Sequence, residues 1–157
     1  MRRVVLLMAA LGLVGLLGSA ASAGNQGAGD NKEQAQKTQR SDRDKILGTW
    51  VVVAMEAAGK KLPEETIKEK TMVITAEKML AKQVGRPDEE FHYKLDVMKN
   101  PRAIDLKDKN KTMPGIYAFE GDDTLKICLS QDNDRPSEFI TKESSKNVLV
   151  TLRRAKK

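Results

Sequence analysis

The stretch "ILGTWVVVAME", residues 46–56, decides how this chain is read. A long polar run stops at Ile46 and Leu47, Gly48 follows, and Trp50 stands at the head of three consecutive valines. Val51, Val52 and Val53 are β-branched, stiff in a helix and comfortable on a pleated surface, so the segment predicts a strand. Gly48 supplies a turn into it that other residues resist. Two readings follow. The glycine is an ordinary turn before a strand, or Gly48 and Trp50 open the first strand of a small barrel. The difference bears on function, because a small barrel can hold a ligand while a generic sandwich promises nothing.

Upstream of this stretch the chain is read as two pieces that lie outside the fold. Residues 1–23 have the anatomy of a secretory signal peptide: basic Arg2-Arg3, an apolar run over 4–17, and the small-x-small pattern Ala21-Ser22-Ala23 before Gly24. The apolar run is shorter than the roughly 18–20 residues that span a bilayer, so no membrane span is expected after cleavage. Residues 24–44 are rich in Gly, Gln, Asn and charge and predict a flexible polar leader. The expected folded domain is 45–157, and the expected location is exported, periplasmic or extracellular.

Downstream, short apolar segments recur with turn signals between them, which predicts an antiparallel meander. The strands fall at 49–56, 71–75, 78–82, 90–97, 103–107, 114–120, 124–130 and 148–154. One short helix, opened by Pro63 with Glu64 and Glu65 at its positive end, is expected after the first strand. The segment "EFHYKLDV" alternates cleanly, with Phe91, Tyr93 and Leu95 on one face and His92 and Lys94 on the other. About eight strands suit closure into a small barrel, and closure also removes the exposed edges of a flat sheet.

Charge and cysteine content narrow the function classes. The formal charge is +6; without Arg2 and Arg3 the chain keeps 26 basic against 22 acidic residues, well interleaved. That is a mixed solvated surface rather than a nucleic-acid groove, and aromatics for base stacking make up only 4%. Cys128 is the sole cysteine, so no internal disulfide supports the fold.

The ordered motifs "LGTWVVVAMEAAGKKLPEE", "YKLDVMKNPRAIDL", "PGIYAFEGDDTLKICLS", "RPSEF" and the terminal "LRR" resemble a family of small exported domains of planctomycete bacteria, of uncharacterised function and lipocalin-like fold. The resemblance covers about residues 45–154. It implies an all-β, eight-stranded antiparallel barrel, and no established activity. In lipocalin-like barrels the Gly-x-Trp is structural, and an arginine of the last strand packs over the indole. The matching residues here are Gly48 and Trp50, with either Arg153 or Arg154 as the arginine, and strand parity does not choose between them. The disulfide of that wider group has no counterpart.

Catalytic chemistry finds little footing. A Ser or Cys nucleophile needs a histidine base, and His92, the only histidine, is placed on the outer face with Lys94. Cys128 alternates away from Leu125, Ile127 and Leu129, which puts it on an outer surface where an intermolecular disulfide is conceivable. "DND" at 132–134 lacks the spacing of a calcium loop, with Pro136 and Ser137 where a ligand and a glycine belong. Asp105 and Glu138 are the first candidates for a pair of hydrolytic carboxylates; their bland alternatives are surface pairs, Asp105 with a lysine and Glu138 with Arg135. No catalytic residue, metal or cofactor is assigned.

The lumen remains. Its expected lining includes Trp50, Val52, Met72, Ile74 and Phe91, followed by Tyr93, Leu95, Ile127 and Val150, with Ala54 also turned inward. Such residues describe either a packed core or a small apolar cavity, and a packed core is the default because protein interiors fill their space. The leading functional expectation is non-enzymatic binding of a small apolar or amphipathic ligand. The alternatives are a structural or protein-interaction domain of the cell envelope with a filled core and, more weakly, a carboxylate-dependent envelope hydrolase.

Overall fold

A computed structural model describes residues 27–156. The signal-peptide reading of 1–23 lies outside these residues. Helix α1 (Gly27–Ile46) leads into strand β1 (Gly48–Ala57), followed by the two-residue β2 (Lys60–Lys61) and the short helix α2 (Glu64–Ile67). Seven strands then follow: β3 (Thr71–Ile74), β4 (Lys78–Lys82), β5 (Glu89–Asp96), β6 (Ala103–Lys107), β7 (Thr112–Glu120), β8 (Thr124–Ser130) and β9 (Asn147–Arg154). Each strand from β3 to β9 pairs antiparallel with the next, β1 pairs with β3, and β1 also pairs with β9. That last ladder closes an eight-stranded barrel of lipocalin-like form, with β2 hung on the end of β1.

The closing ladder runs from Trp50↔Arg154 to Ala57↔Val148 and slips by one residue between Val52 and Ala54. Val53 is the extra residue of this β-bulge. A bulge reverses the in–out alternation beyond it, so Trp50 and Val52 face inward but Met55, not Ala54, joins the core after it. The inward placement expected for Ala54 is thereby corrected.

The polar stretch expected as a flexible leader carries α1. Its Gln, Glu, Lys and Ala residues have high helix propensity and no proline interrupts them. Its last turns have tertiary support: Ile46 is fully buried in the barrel core and Asp42 is 4% exposed. The domain therefore reaches back past residue 45.

A second departure lies outside the barrel. The β8–β9 connection, residues 131–146, crosses the outer face of the sheet as a strap. Phe139 covers a small outer cluster of Ile116, Cys128 and Leu149. Cys128 sits on the outer face as its alternation requires, yet it is fully buried, because a loop that alternation knows nothing about lies over it. Burial raises the thiol's pKa, so the expectation of a surface thiol is corrected.

Candidate functional site

The two ends of the barrel differ, and the difference locates the site. At one end lie the start of β1, the end of β9 and the turns β3–β4, β5–β6 and β7–β8. α1 packs there, and Gly48, Trp50 and Arg154 fasten it. The Arg154 guanidinium stands 4.2 Å from the Trp50 ring centroid. It donates to Lys45 O at 2.7 Å and Leu47 O at 2.9 Å, and Trp50 Nε1 donates to Ile46 O at 2.8 Å. A helix leaves its last carbonyls unpaired and its C-terminus electronegative. Here an arginine and an indole from the barrel satisfy them. Gly48 adopts φ +121°, and a Cβ there would sit 3.2 Å from Arg154 Nη1. Arg154 is the inward arginine, while Arg153 is exposed.

Asp42 strengthens the same closure. Its carboxylate accepts from Arg102 Nη1 at 3.0 and 3.1 Å and from the buried Tyr117 hydroxyl at 2.5 Å. Burial, then the hydrogen bond to Asp42 and its charge, push the Tyr117 phenol far above its usual range. This end is sealed.

Between the ends the interior is filled. Met79, Leu95, Leu125 and Leu152 are at most 2% exposed. All nine expected lumen residues belong to the central cluster, six buried and Met72, Phe91 and Tyr93 packed partly buried against it. Tyr93 turns its hydroxyl to Thr75 O at 2.8 Å, at the sealed end.

The opposite end has a mouth. A cleft of about 160 Å³ opens there, with a floor of Val52, Met55, Met72, Ala81 and Val150. Val52 and Met55 both reach it because the bulge at Val53 turns Met55 inward, and bulges often re-aim side chains beside sites. The rim carries Lys70, Lys82 and Arg86, with Gln83 and Glu89. Of the nine expected lumen residues only Val52, Met72 and Val150 line this cleft; Trp50, Ile74 and Ile127 are core, Tyr93 and the buried Leu95 border the recess at the α1 end, and Phe91 lies elsewhere along the wall. The rim cations went unforeseen. The meander topology would have gathered them, since the start of β3 and the end of β4 must share one end of the barrel.

Outside the barrel, a more open groove of about 560 Å³ runs between β1 and α2. It presents Val51 and Val53, 37% and 40% exposed.

The carboxylate candidates do not converge. Asp105 pairs with Arg135 of the strap, Oδ1 to Nη2 at 2.7 Å, and not with a lysine. Arg135 Nη1 also donates to Ile104 O and Gly115 O, so the expected Arg135–Glu138 pair is corrected. Glu138 lines a shallow depression with Ser137 and Lys142 that Asp105 does not share. His92 is exposed as expected, while Cys128 is buried, so the two form no surface pair. The motif residues are structural: Pro114 lacks an N–H, and β7–β8 pairing stops at Gly115↔Leu129. A Cβ at Gly115 would lie 2.6 Å from Cys128 O.

Comparison with family models, curated proteins and solved structures finds no match to this chain.

Proposed function

We propose that the protein is an exported, non-enzymatic binding module that holds a small apolar or amphipathic molecule at the open mouth of its barrel. One observation carries this reading: one barrel end is capped by α1 over Trp50 and Arg154, while the other keeps an apolar-floored cleft that reaches Val52, Met72 and Val150 of the core wall. Ligand sites favour concave apolar surfaces with a few convergent polar groups, and barrel mouths are among their usual places. At about 160 Å³ the cleft is smaller than the roughly 300–1,000 Å³ of a drug-sized site, so the ligand is small. Export and kinship with the planctomycete family belong to the same proposal and rest on the sequence motifs. Titration of the purified protein with an apolar probe, followed by amide NMR, tests it. Shifts gathered at Val52, Met55, Met72 and Val150 are expected. Shifts scattered over the surface, or none, would count against it. Trp50 lies at the sealed end and does not line the cleft, so its fluorescence is a poor reporter.

A second reading has its own support. The exposed Val51 and Val53 beside α2 suit a protein-interaction domain acting through its outer face. Loss of a protein partner on Val51→Lys or Val53→Lys, with the cleft unresponsive to probes, would favour it.

A further inference from the structure

We infer that the mouth cleft takes a small monoanion with a short apolar tail, its head held by Lys70 and Arg86. The inference rests on the reading that the cleft binds a ligand, and adds its chemical class.

Charge sets the head. The lining holds three cations, Lys70, Lys82 and Arg86, against one acid, Glu89. Lys82 is already engaged by Asp88 at 3.0 Å. Lys70 and Arg86 make no ion pair among the described residues. Two uncommitted cations on the rim of an apolar floor leave charge complementarity open to an anion. Arg86 offers a planar fork suited to a carboxylate, and Lys70 a compact point charge beside it. Glu89 offsets one of the two uncommitted cations, so the lining keeps one net positive charge, which a monoanion matches.

Volume sets the tail. Water takes a share of roughly 30 Å³ in the liquid, so 160 Å³ accommodates about five groups of that size. Among the described residues Met79, Leu95, Leu125 and Leu152 fill the interior behind the floor. A tail of about four to six carbons fits inside, and the rest of a long acyl chain would stay in solvent and add no affinity.

Hexanoate, hexanol, hexylammonium and hexadecanoate, each titrated into the purified protein and followed by amide NMR, separate these claims. Hexanoate is expected to bind about tenfold more tightly than hexanol, the combined effect of two partly solvated ionic contacts. Hexylammonium should bind more weakly than hexanol, and hexadecanoate no more tightly than hexanoate. Lys70→Gln with Arg86→Gln should bring hexanoate down to the level of hexanol, and Glu89→Gln should strengthen it. Equal binding of hexanoate and hexanol at the cleft would overturn the anionic head and leave the binding module standing. Hexadecanoate tenfold tighter than hexanoate would overturn the short tail alone. No shift at the cleft from any of the four would overturn both this inference and the function on which it rests.

Discussion

Replacing Arg154 with methionine keeps an apolar stem over the indole and deletes the guanidinium. Three interactions go with it: the stack on Trp50 at 4.2 Å and the donations to Lys45 O and Leu47 O at 2.7 and 2.9 Å. A partly exposed cation over the fully buried Trp50 indole contributes about 1 kcal/mol, and each hydrogen bond from a charged donor about 1.5 kcal/mol. The contacts share one head group and are not additive, so the loss should be about 3 kcal/mol. Arg154→Lys can hold one carbonyl and should lose about half of that. Arg153→Met, one residue away and exposed, should change stability by less than about 0.5 kcal/mol. Urea unfolding followed by Trp50 emission reads all three. With a slope of about 1.5 kcal/mol per molar urea, Arg154→Met should unfold at a midpoint lower by roughly 2 M. Far-ultraviolet circular dichroism should also show helix loss, since α1 loses its C-terminal partners. If Arg154→Met and Arg153→Met unfold within 0.5 M of one another, the closing device contributes nothing and the argument fails.

Three further outcomes follow from the same geometry. Tyr117→Phe should cost about 1–2 kcal/mol near neutral pH by removing a buried donor to Asp42. Because the folded phenol is raised above its unfolded value of about 10, its stabilisation is complete below pH 10 and is lost as pH climbs beyond it. The variant should therefore decline less steeply than the wild type in alkaline denaturation; parallel declines would refute the buried hydroxyl. Cys128 should resist thiol reagents in the native protein and run as a monomer on a non-reducing gel, while Phe139→Ala should speed its labelling at least tenfold by uncovering it; equal labelling rates would mean that the strap does not shield it. Gly115→Ala should destabilise by about 3 kcal/mol or more, since its Cβ would strike Cys128 O and Leu129 Cδ2 at 2.6 and 2.7 Å; a melting temperature within a degree of wild type would contradict that approach.

The eight strands were legible because strand periodicity is local. Phe91, Tyr93 and Leu95 announce their shared face within one segment, and the structure keeps it. The same holds for the short gaps left between the expected strands at 76–77 and 121–123, where the structure makes the β3–β4 and β7–β8 turns. The Gly-x-Trp with a terminal arginine was also readable, through its resemblance to lipocalin-like barrels. Much of the candidate site was not. Val52, Met72 and Val150 were foreseen, but Met55 replaced Ala54 and the basic rim came as new.

By itself, then, the sequence determined the all-β class, the eight barrel strands, their inward faces except on β1 beyond Val53, and the lack of a cysteine pair for an internal disulfide. Each follows from neighbours along the chain: side-chain shape, alternation, turn chemistry, one cysteine. Tertiary structure alone decided where β1 and β9 slip at Val53, which arginine meets Trp50, that α1 is tied down by Asp42 and Arg154, and that the strap buries Cys128. These depend on registers and coverings between segments far apart in the chain. A one-residue slip there turns a side chain from solvent to core while leaving the local pattern unchanged.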